Sequence, residues 1–395
     1  MANLNQTPSA NRLHIGFFGK RNSGKSSLIN AFVNQDISIV SNIAGTTTDP
    51  VYKAMEIHPI GPCVIIDTAG FDDVGTLGSL RNEKTKKTSA KVDLAIVIFS
   101  DLDCKQELSW CNYFKEQGIP IIPVISKSDL GINENLIAKI EIKLKTKPLL
   151  VSSLTKKGIL ELKNRIIENV PKEYEKENIL GDLVKPGNLV LLVMPQDLQA
   201  PKGRLILPQV QVIRELLDRQ CMPLAVTTDN LKKALAKLNN LPDLVITDSQ
   251  VFKKVYQNLP DKCRLTSFSV LMAGYKGDLH YFVDSVKKID LLSPSAKILI
   301  AECCSHVPLN EDIGRVKIPR ILKEKYAMKN IEFVNGSDFP DDLTNYDLII
   351  NCGGCMFNRR HIMSRVDRAK MQNIPMTNYG VFLAYINGIL DKIVY

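Results

Sequence analysis

"GKRNSGKS" occupies residues 19–26 and fits the spacing G-x-x-x-x-G-K-S/T. It follows the apolar run "HIGFF" (14–18) and opens the helical stretch "KSSLINAFV" (25–33). A strand, a glycine turn and a helix in that order form the context that makes this spacing a phosphate-binding loop. Gly19 and Gly24 let the backbone curl around phosphate, and the freed N–H groups at the helix N-terminus stabilise its negative charge. Lys25 is expected to reach the β- and γ-phosphates and Ser26 to place its hydroxyl on Mg²⁺.

The neighbouring motifs extend this site. "DTAG" (67–70) follows the strand-like "CVII". Asp67 is placed to hold Mg²⁺ through its water shell, and Gly70 to offer its N–H to the γ-phosphate. "AGTTTDP" (44–50) lies where a switch loop belongs, with a threonine hydroxyl that closes on Mg²⁺ only while the γ-phosphate is present. "SKSD" (126–129) ends a strand, and Asp129 can accept the two N–H groups of the guanine edge, a donor pair that adenine lacks. "SSLTKKG" (152–158) is placed to close over the base. GTP and GDP are therefore the expected nucleotides.

Working outward, "LHIGFFG", "CVIIDTAG", "LAIVIFS", "IPIIPVISKSD" and "PLLVSS" read as buried parallel strands, with helices between them such as 25–33 and 104–117. This is a doubly wound α/β pattern. "PKEYEKENILGDLVKPG" (171–187) reads as a linker. "NLVLLVMP", "MPLAVTT" and "DLVITDS" then resume as strands, with helices at 208–219 and 229–238. "RLTSFSVLMAG" reads as the opening of a third α/β unit, whose clearest strands are "KILIAECC" and "DLIINCGG". The expected organisation is three α/β domains, at 1–174, 175–268 and 269–395. A chain of 395 residues is too long for one ordinary core.

Composition narrows the class. Apolar content of 45% and charged content of 24% are those of a globular protein, and no apolar run is long enough to span a bilayer. "MANLNQTPSA" lacks the charged and apolar regions of a signal peptide, which favours the cytoplasm. The net charge of +9 is dispersed; its densest stretch, "RNEKTKKTSAK" (81–91), has no interleaved aromatics and reads as a solvated helix face, not a nucleic-acid surface.

Nine cysteines in such a chain do not read as a disulfide framework. Cys63, Cys104, Cys111, Cys221 and Cys263 stand apart, each as a small buried hydrophobe. Cys304, His306, Cys352 and Cys355 form the pattern C-x-H-x45-C-x-x-C, each half following a strand. Parallel strands in one sheet would bring both halves to carboxyl ends, where open α/β sheets bind ligands. Buried structural thiols, a Cys3His zinc site and an iron–sulfur cluster all suit this pattern. Gly353 and Gly354 would leave N–H groups free for cluster sulfides. Spacing alone does not choose between zinc and iron.

Over residues 12–170 these motifs resemble the GTPase domain of the TrmE–Era–Septin-like class. Ser126 stands where that class has Asn and Ser153 where it has Ala; the loss of the amide at 126 removes a tie to the phosphate loop, and weaker nucleotide binding is expected. The resemblance implies a site in which Lys25, Thr47, Asp67 and Gly70 serve catalysis. Gly19, Asn22, Gly24, Lys25, Ser26, Ser27, Thr47, Asp67, Lys127, Asp129 and Ser152 hold nucleotide and ions. Asn22 and "GTTTD" resemble the potassium-activated subgroup, which implies K⁺ on Asn22 and Mg²⁺ on Ser26 and Thr47. Phe71 stands where Ras-like proteins place a water-orienting Gln, so slow turnover is expected.

The whole arrangement, together with "NYGVFLAYINGIL" (378–390), resembles the HydF family of [FeFe]-hydrogenase maturation GTPases. That resemblance implies a homodimeric scaffold whose Cys304, Cys352 and Cys355 hold a [4Fe-4S] cluster. The fourth iron is left for an exchangeable ligand, with His306 a candidate, and Glu302 or Asp338 further ones. Asn351 stands where many relatives have His. Arg359 and Arg360, just beyond the C-x-x-C, are candidate cations for anionic ligands. A transient di-iron unit bearing CO and CN⁻ is the implied cargo, radical-SAM maturases its source and apo-[FeFe]-hydrogenase its destination. The alternative is an RNA-associated GTPase of the TrmE and Era type with a structural zinc domain.

Overall fold

The computed structural model describes residues 9–33, 42–43, 50–68, 70, 85–171, 178–195, 205–303, 312–336, 338–354 and 357–395. Two compact units divide the chain, Met1–Lys176 and Glu177–Tyr395.

The first unit is built on one sheet. Its strands are β1 (Leu13–Gly19), β2 (Asn42–Ile43), β3 (Val51–Ile57), β4 (Gly61–Asp67), β5 (Leu94–Phe99), β6 (Ile121–Ile125) and β7 (Leu149–Leu150). They lie in the order β2-β3-β4-β1-β5-β6-β7. The five runs expected as parallel strands are β4, β1, β5, β6 and β7, and all pair in parallel. Every residue of β1 and β5 is buried, as strands covered on both faces require. Helices α1 (Lys25–Val33) and α4 (Ile159–Glu168) supply Leu28, Ile29, Phe32, Leu162 and Ile166 to the core on one face. Helices α2 (Lys105–Glu116) and α3 (Glu134–Leu144) supply Cys111, Phe114, Leu136 and Ile140 to the core on the other. β3 runs antiparallel between β2 and β4. It escaped the sequence reading because only Met55 and Ile57 of "VYKAMEI" are buried, so the segment lacks a sustained apolar signature.

The second unit contains two four-stranded parallel sheets. β8 (Leu189–Val193), β9 (Met222–Val226), β10 (Leu244–Thr247) and β11 (Leu265–Ser267) lie in the order β11-β10-β8-β9. β12 (Lys297–Ala301), β13 (Asn330–Val334), β14 (Leu348–Asn351) and β15 (Met376–Asn378) lie in the order β13-β12-β14-β15. Helices α5 (Leu207–Asp218), α6 (Leu231–Lys237), α7 (Phe252–Tyr256), α8 (Phe268–Lys276), α9 (Leu279–Lys287), α10 (Ile318–Tyr326), α11 (Arg359–Met371) and α12 (Tyr379–Ile386) connect them.

Two expectations are corrected here. "RLTSFSVLMAG" does not open a third sheet: Leu265–Ser267 pairs with β10 and completes the first sheet of this unit. The residues from 178 onward are not a free linker. Leu180 and Val184 are buried in the core beneath β8 and β10, and the Glu215 carboxylate accepts the N–H groups of Ile179 at 2.7 Å and Leu180 at 3.1 Å.

The two sheets share a core. One continuous apolar cluster runs from Leu191 and Val245 through Phe282 and Val286 to Ile298, Ile300 and Ile349. Helix α8 serves both layers: Phe268, Leu271 and Met272 join the core beneath β8 and β10, while Val270 and Ala273 join the shared one. Among the described residues, no helix is long and apolar enough to cross a membrane.

A shared core carries a testable consequence. Phe282→Ala should cost about 3–5 kcal/mol and raise amide exchange in β10 and β12 together, read by hydrogen-exchange mass spectrometry on the intact chain. Loss of protection confined to one sheet would contradict the common core.

Candidate nucleotide and cysteine sites

In the first unit, the register of β1 with β4 sets Phe17 opposite Asp67 and so brings Asp67 level with the phosphate-loop turn. Asp67 holds both candidate partners. Its Oδ1 ion-pairs with Lys25 Nζ, and its Oδ2 accepts from Ser26 Oγ at 2.8 Å. A hydroxyl and a carboxylate are the oxygen donors a hard divalent cation takes, and the adjacent ammonium suits a phosphate. Gly24 has φ of +83°, which glycine adopts without strain. Gly19 is required by space instead, because a Cβ there would lie 2.8 Å from Ser23 Oγ. Asn22 also adopts a left-handed φ, +60°.

The base-recognition segment is tied to this loop at two points. Ser126 Oγ donates to the Ser23 carbonyl at 2.5 Å, and Lys127 Nζ donates to the Asn22 carbonyl at 2.7 Å. The expectation that Ser126 forfeits the tie is therefore corrected: a serine hydroxyl is long enough to make it. Asp129 stands exposed on the short turn Ser128–Leu130. Ser128 N–H donates to the Val151 carbonyl at 3.1 Å, joining this turn to the loop at 152–158. That loop closes on itself. Ser152 N–H donates to the Lys157 carbonyl at 3.0 Å, and its Oγ accepts from Thr155 N–H at 3.1 Å. Ser27 is exposed on the first turn of α1, and Gly70 lies half-buried just past β4. Thr47 and Phe71 lie outside the described residues.

Lys20, inside the phosphate loop, was not singled out by the motif. It donates to the Asp103 carbonyl and sits 3.4 Å from Asp101 and 3.7 Å from Glu107. Glu107 is fully buried on α2. Burial pushes its carboxyl up to about 7, against its own backbone N–H and Lys20, which pull it down.

In the second unit, β12 and β14 are parallel neighbours with Ala301 opposite Asn351, so the two cysteine segments leave the sheet side by side. Cys303 N–H donates to Cys352 Sγ at 3.1 Å, and Cys352 N–H donates to the Ala301 carbonyl at 2.9 Å. Cys304, His306 and Cys355 lie outside the described residues. Among the described residues, no three His, Cys, Asp or Glu side chains converge as a metal site. The Cys352 thiol is shifted downward, foremost by the hydrogen bond from Cys303, with the Gly354 N–H and the Arg365 charge assisting against burial. Cys303, which the C-x-H pattern leaves out, therefore contacts the candidate ligand Cys352.

The rest of the cysteine end is held by buried cations. Lys276, at the end of α8, donates to the carbonyls of Gly354 at 2.9 Å and Phe357 at 2.7 Å. Gly354 has φ of +62°, and a Cβ on it would meet Ile362 at 2.5 Å. Asn351 Oδ1 accepts from Arg365 Nη1 at 2.8 Å, and its Nδ2 donates to the Cys352 carbonyl at 2.7 Å. Glu302 is paired with Arg315 at 2.7 Å, and Arg359 donates to the carbonyls of Tyr275 and Gly277. Burial raises the Tyr379 phenol, and the nearby Cys352 and Glu302 add to the effect. Cys63, Cys104, Cys111 and Cys221 are buried as expected, with burial pushing the Cys63 and Cys111 thiols up to about 12, whereas Cys263 is only half-buried.

Comparison with known proteins agrees with this division. A model of the 50S ribosome-binding GTPase family matches residues 14–127. The hydrogen maturase F dimerization domain matches residues 179–277, and the hydrogen maturase F tetramerization domain matches residues 280–395. The last two together cover over half of the chain. The tRNA modification GTPase MnmE of Endomicrobium trichonymphae is 33% identical over 46% of this chain and 40% of its own length. The GTPase Der of Mycoplasmopsis pulmonis is 35% identical over 43% of each chain. The chain thus spans less than half the length of these curated relatives. Among solved structures, Aquifex aeolicus Era is 21% identical over 54% of this chain and 92% of that one, with a TM-score of 0.34.

Glu107 gives this site a measurable pH signature. The folded chain holds the Glu107 proton more tightly than the unfolded chain, so this group costs stability increasingly as pH rises from the ordinary 4.5 through about 7. Glu107→Gln should therefore stabilise the first unit at about pH 8 and change it little at about pH 4, read as urea midpoints. Parallel pH profiles for the two proteins would refute the assignment.

Proposed function

The chain belongs to the hydrogen maturase F family, and from that premise we propose that it is a GTP-hydrolysing scaffold that holds a [4Fe-4S] cluster and passes a di-iron unit to apo-[FeFe]-hydrogenase. The observation that carries this reading is the pairing of β12 with β14. It sets Cys303 and Cys352 together at two strand ends, with an N–H on the sulfur and a buried guanidinium beside it. Sulfur donors, close-lying glycines and positive charge suit an anionic iron–sulfur group. Cys304, Cys352 and Cys355 would hold it, with the fourth iron open to His306 or to the cargo. The unit would come from radical-SAM maturases. Glu302 is the weaker candidate for that position, because Arg315 already engages it.

At the nucleotide end, Gly19, Gly24 and the N-terminus of α1 would cradle the phosphates, with Lys25 on the β- and γ-oxygens and Asn22 on K⁺. Mg²⁺, when bound, would neutralise charge that develops on the phosphates during transfer. Ser26, Thr47 and Asp67 would hold that ion, and Ser27 would flank it. Gly70 would report the γ-phosphate. Asp129 would select guanine, with Lys127 and Ser152 shaping the pocket. The working division is a GTPase domain at 1–174, a dimerisation domain at 175–268 and a cluster domain at 269–395, acting as a homodimer in the cytoplasm. The match of residues 280–395 to a tetramerization domain supports pairing of such dimers.

Three measurements test this reading. Anaerobic purification should give brown protein with iron and acid-labile sulfide, lost in Cys352→Ser; colourless protein containing zinc would sink it. Asp129→Ala should weaken GTP by roughly 10–100-fold in a fluorescent-nucleotide titration, with turnover faster in K⁺ than in Na⁺. Equal binding of ATP and GTP by the parent chain would remove the guanine assignment, and equal turnover in the two salts the K⁺ site.

A further inference from the structure

Arg365 lies on α11 and is only 2% exposed, the largest of the fully buried side chains. Its Nη1 donates to Asn351 Oδ1 at 2.8 Å and to Cys303 Sγ at 3.5 Å. Its Nη2 donates to the carbonyls of Glu302 and Gly336. The Phe339 ring stacks 5.0 Å from the guanidinium. Nε is buried without a hydrogen-bond partner, and among the described residues no carboxylate pairs with the group. Glu302, the nearest candidate by sequence, gives its carboxylate to Arg315.

A buried charge without a counter-charge is among the costliest groups a fold can keep. Neutral oxygens and one thiol soften that cost but do not cancel it. An anion at the sulfur end would. A cubane core held by three thiolates is a net anion, and one-electron reduction adds a further negative charge. We infer that Arg365 is the buried counter-cation of the cluster, a positioning residue that favours retention of the anionic group and raises its reduction potential. This rests on the reading that the cysteines hold a cluster.

The charge and the hydrogen bonds can be separated. Arg365→Lys keeps the charge and loses the planar fork. Arg365→Gln keeps polar contacts and loses the charge, and Arg365→Met loses both. Each intact chain is reconstituted anaerobically, assayed for iron and sulfide, and titrated with dithionite as the electron donor. The potential should follow charge. Lys should stay near the parent value, while Gln and Met fall by at least a tenfold change in the reduction equilibrium, about 59 mV for one electron. Before reconstitution, the Met variant should melt no lower than the parent. Iron loss in folded Gln or Met variants, restored by Lys, would equally support the role. An unchanged potential with full iron in Gln would overturn it and leave the cluster reading standing. If Lys falls with Gln, the role is hydrogen bonding and not charge. A parent chain that takes up neither iron nor sulfide overturns the cluster reading and this inference with it. Should Met fail to fold by circular dichroism, the Lys and Gln pair decides.

Discussion

A parallel strand buried on both faces leaves little room for polar chemistry except at its ends, and both candidate sites obey that constraint. Past His14, β1 carries no polar side chain up to the turn at Gly19, and β4 carries none up to the carboxylate of Asp67. β12 and β14 are apolar over 298–301 and 348–350, and polar groups gather where they end, Glu302 and Cys303 on one and Asn351 and Cys352 on the other. In each unit the register between neighbouring strands decides which side chains emerge together, Phe17 with Asp67 in one and Ala301 with Asn351 in the other. A slip of one residue would turn Asp67 away from Lys25 and Ser26, because successive strand side chains point to opposite faces.

Much of this was legible in the chain because the signals are local. Strand, glycine turn and helix around Gly19–Ser26 are contiguous, so the phosphate loop could be read from one short window. Long apolar runs announced β4, β5, β6, β8, β10, β12 and β14. β3 gives no sustained apolar run because Lys53 and Glu56, on opposite faces of the strand, interrupt it. Leu265–Ser267 was assigned to the wrong sheet because strand pairing is a long-range property that three residues cannot advertise. The tie through Ser126 was misjudged since residue type was read without the loop distance it spans. Arg365 carried no signal at all. Within "HIMSRVDRAK" it looks like any basic residue on a solvated helix face, and it is buried only because α11 lies against the ends of β12 and β14.

The two units handle charge differently. In the first unit the inward-facing lysines meet carboxylates, Lys25 with Asp67 and Lys20 with Glu107. In the second, Lys276 and Arg365 spend their donors on carbonyls, an amide and a thiol. The first arrangement is internally balanced, each of these lysines meeting a carboxylate. In the second, among the described residues, the Arg365 guanidinium meets neutral acceptors and a thiol and no carboxylate.

Helix α8 has a mechanical consequence. Its two apolar faces are wedged into two different cores, and its last residue grips the Gly354 and Phe357 carbonyls beside the C-x-x-C segment. Moving α8 against either sheet would open one of the two cores or release the Gly354 and Phe357 carbonyls, so the backbone at 354 and 357 is held in place by the packing of both sheets at once.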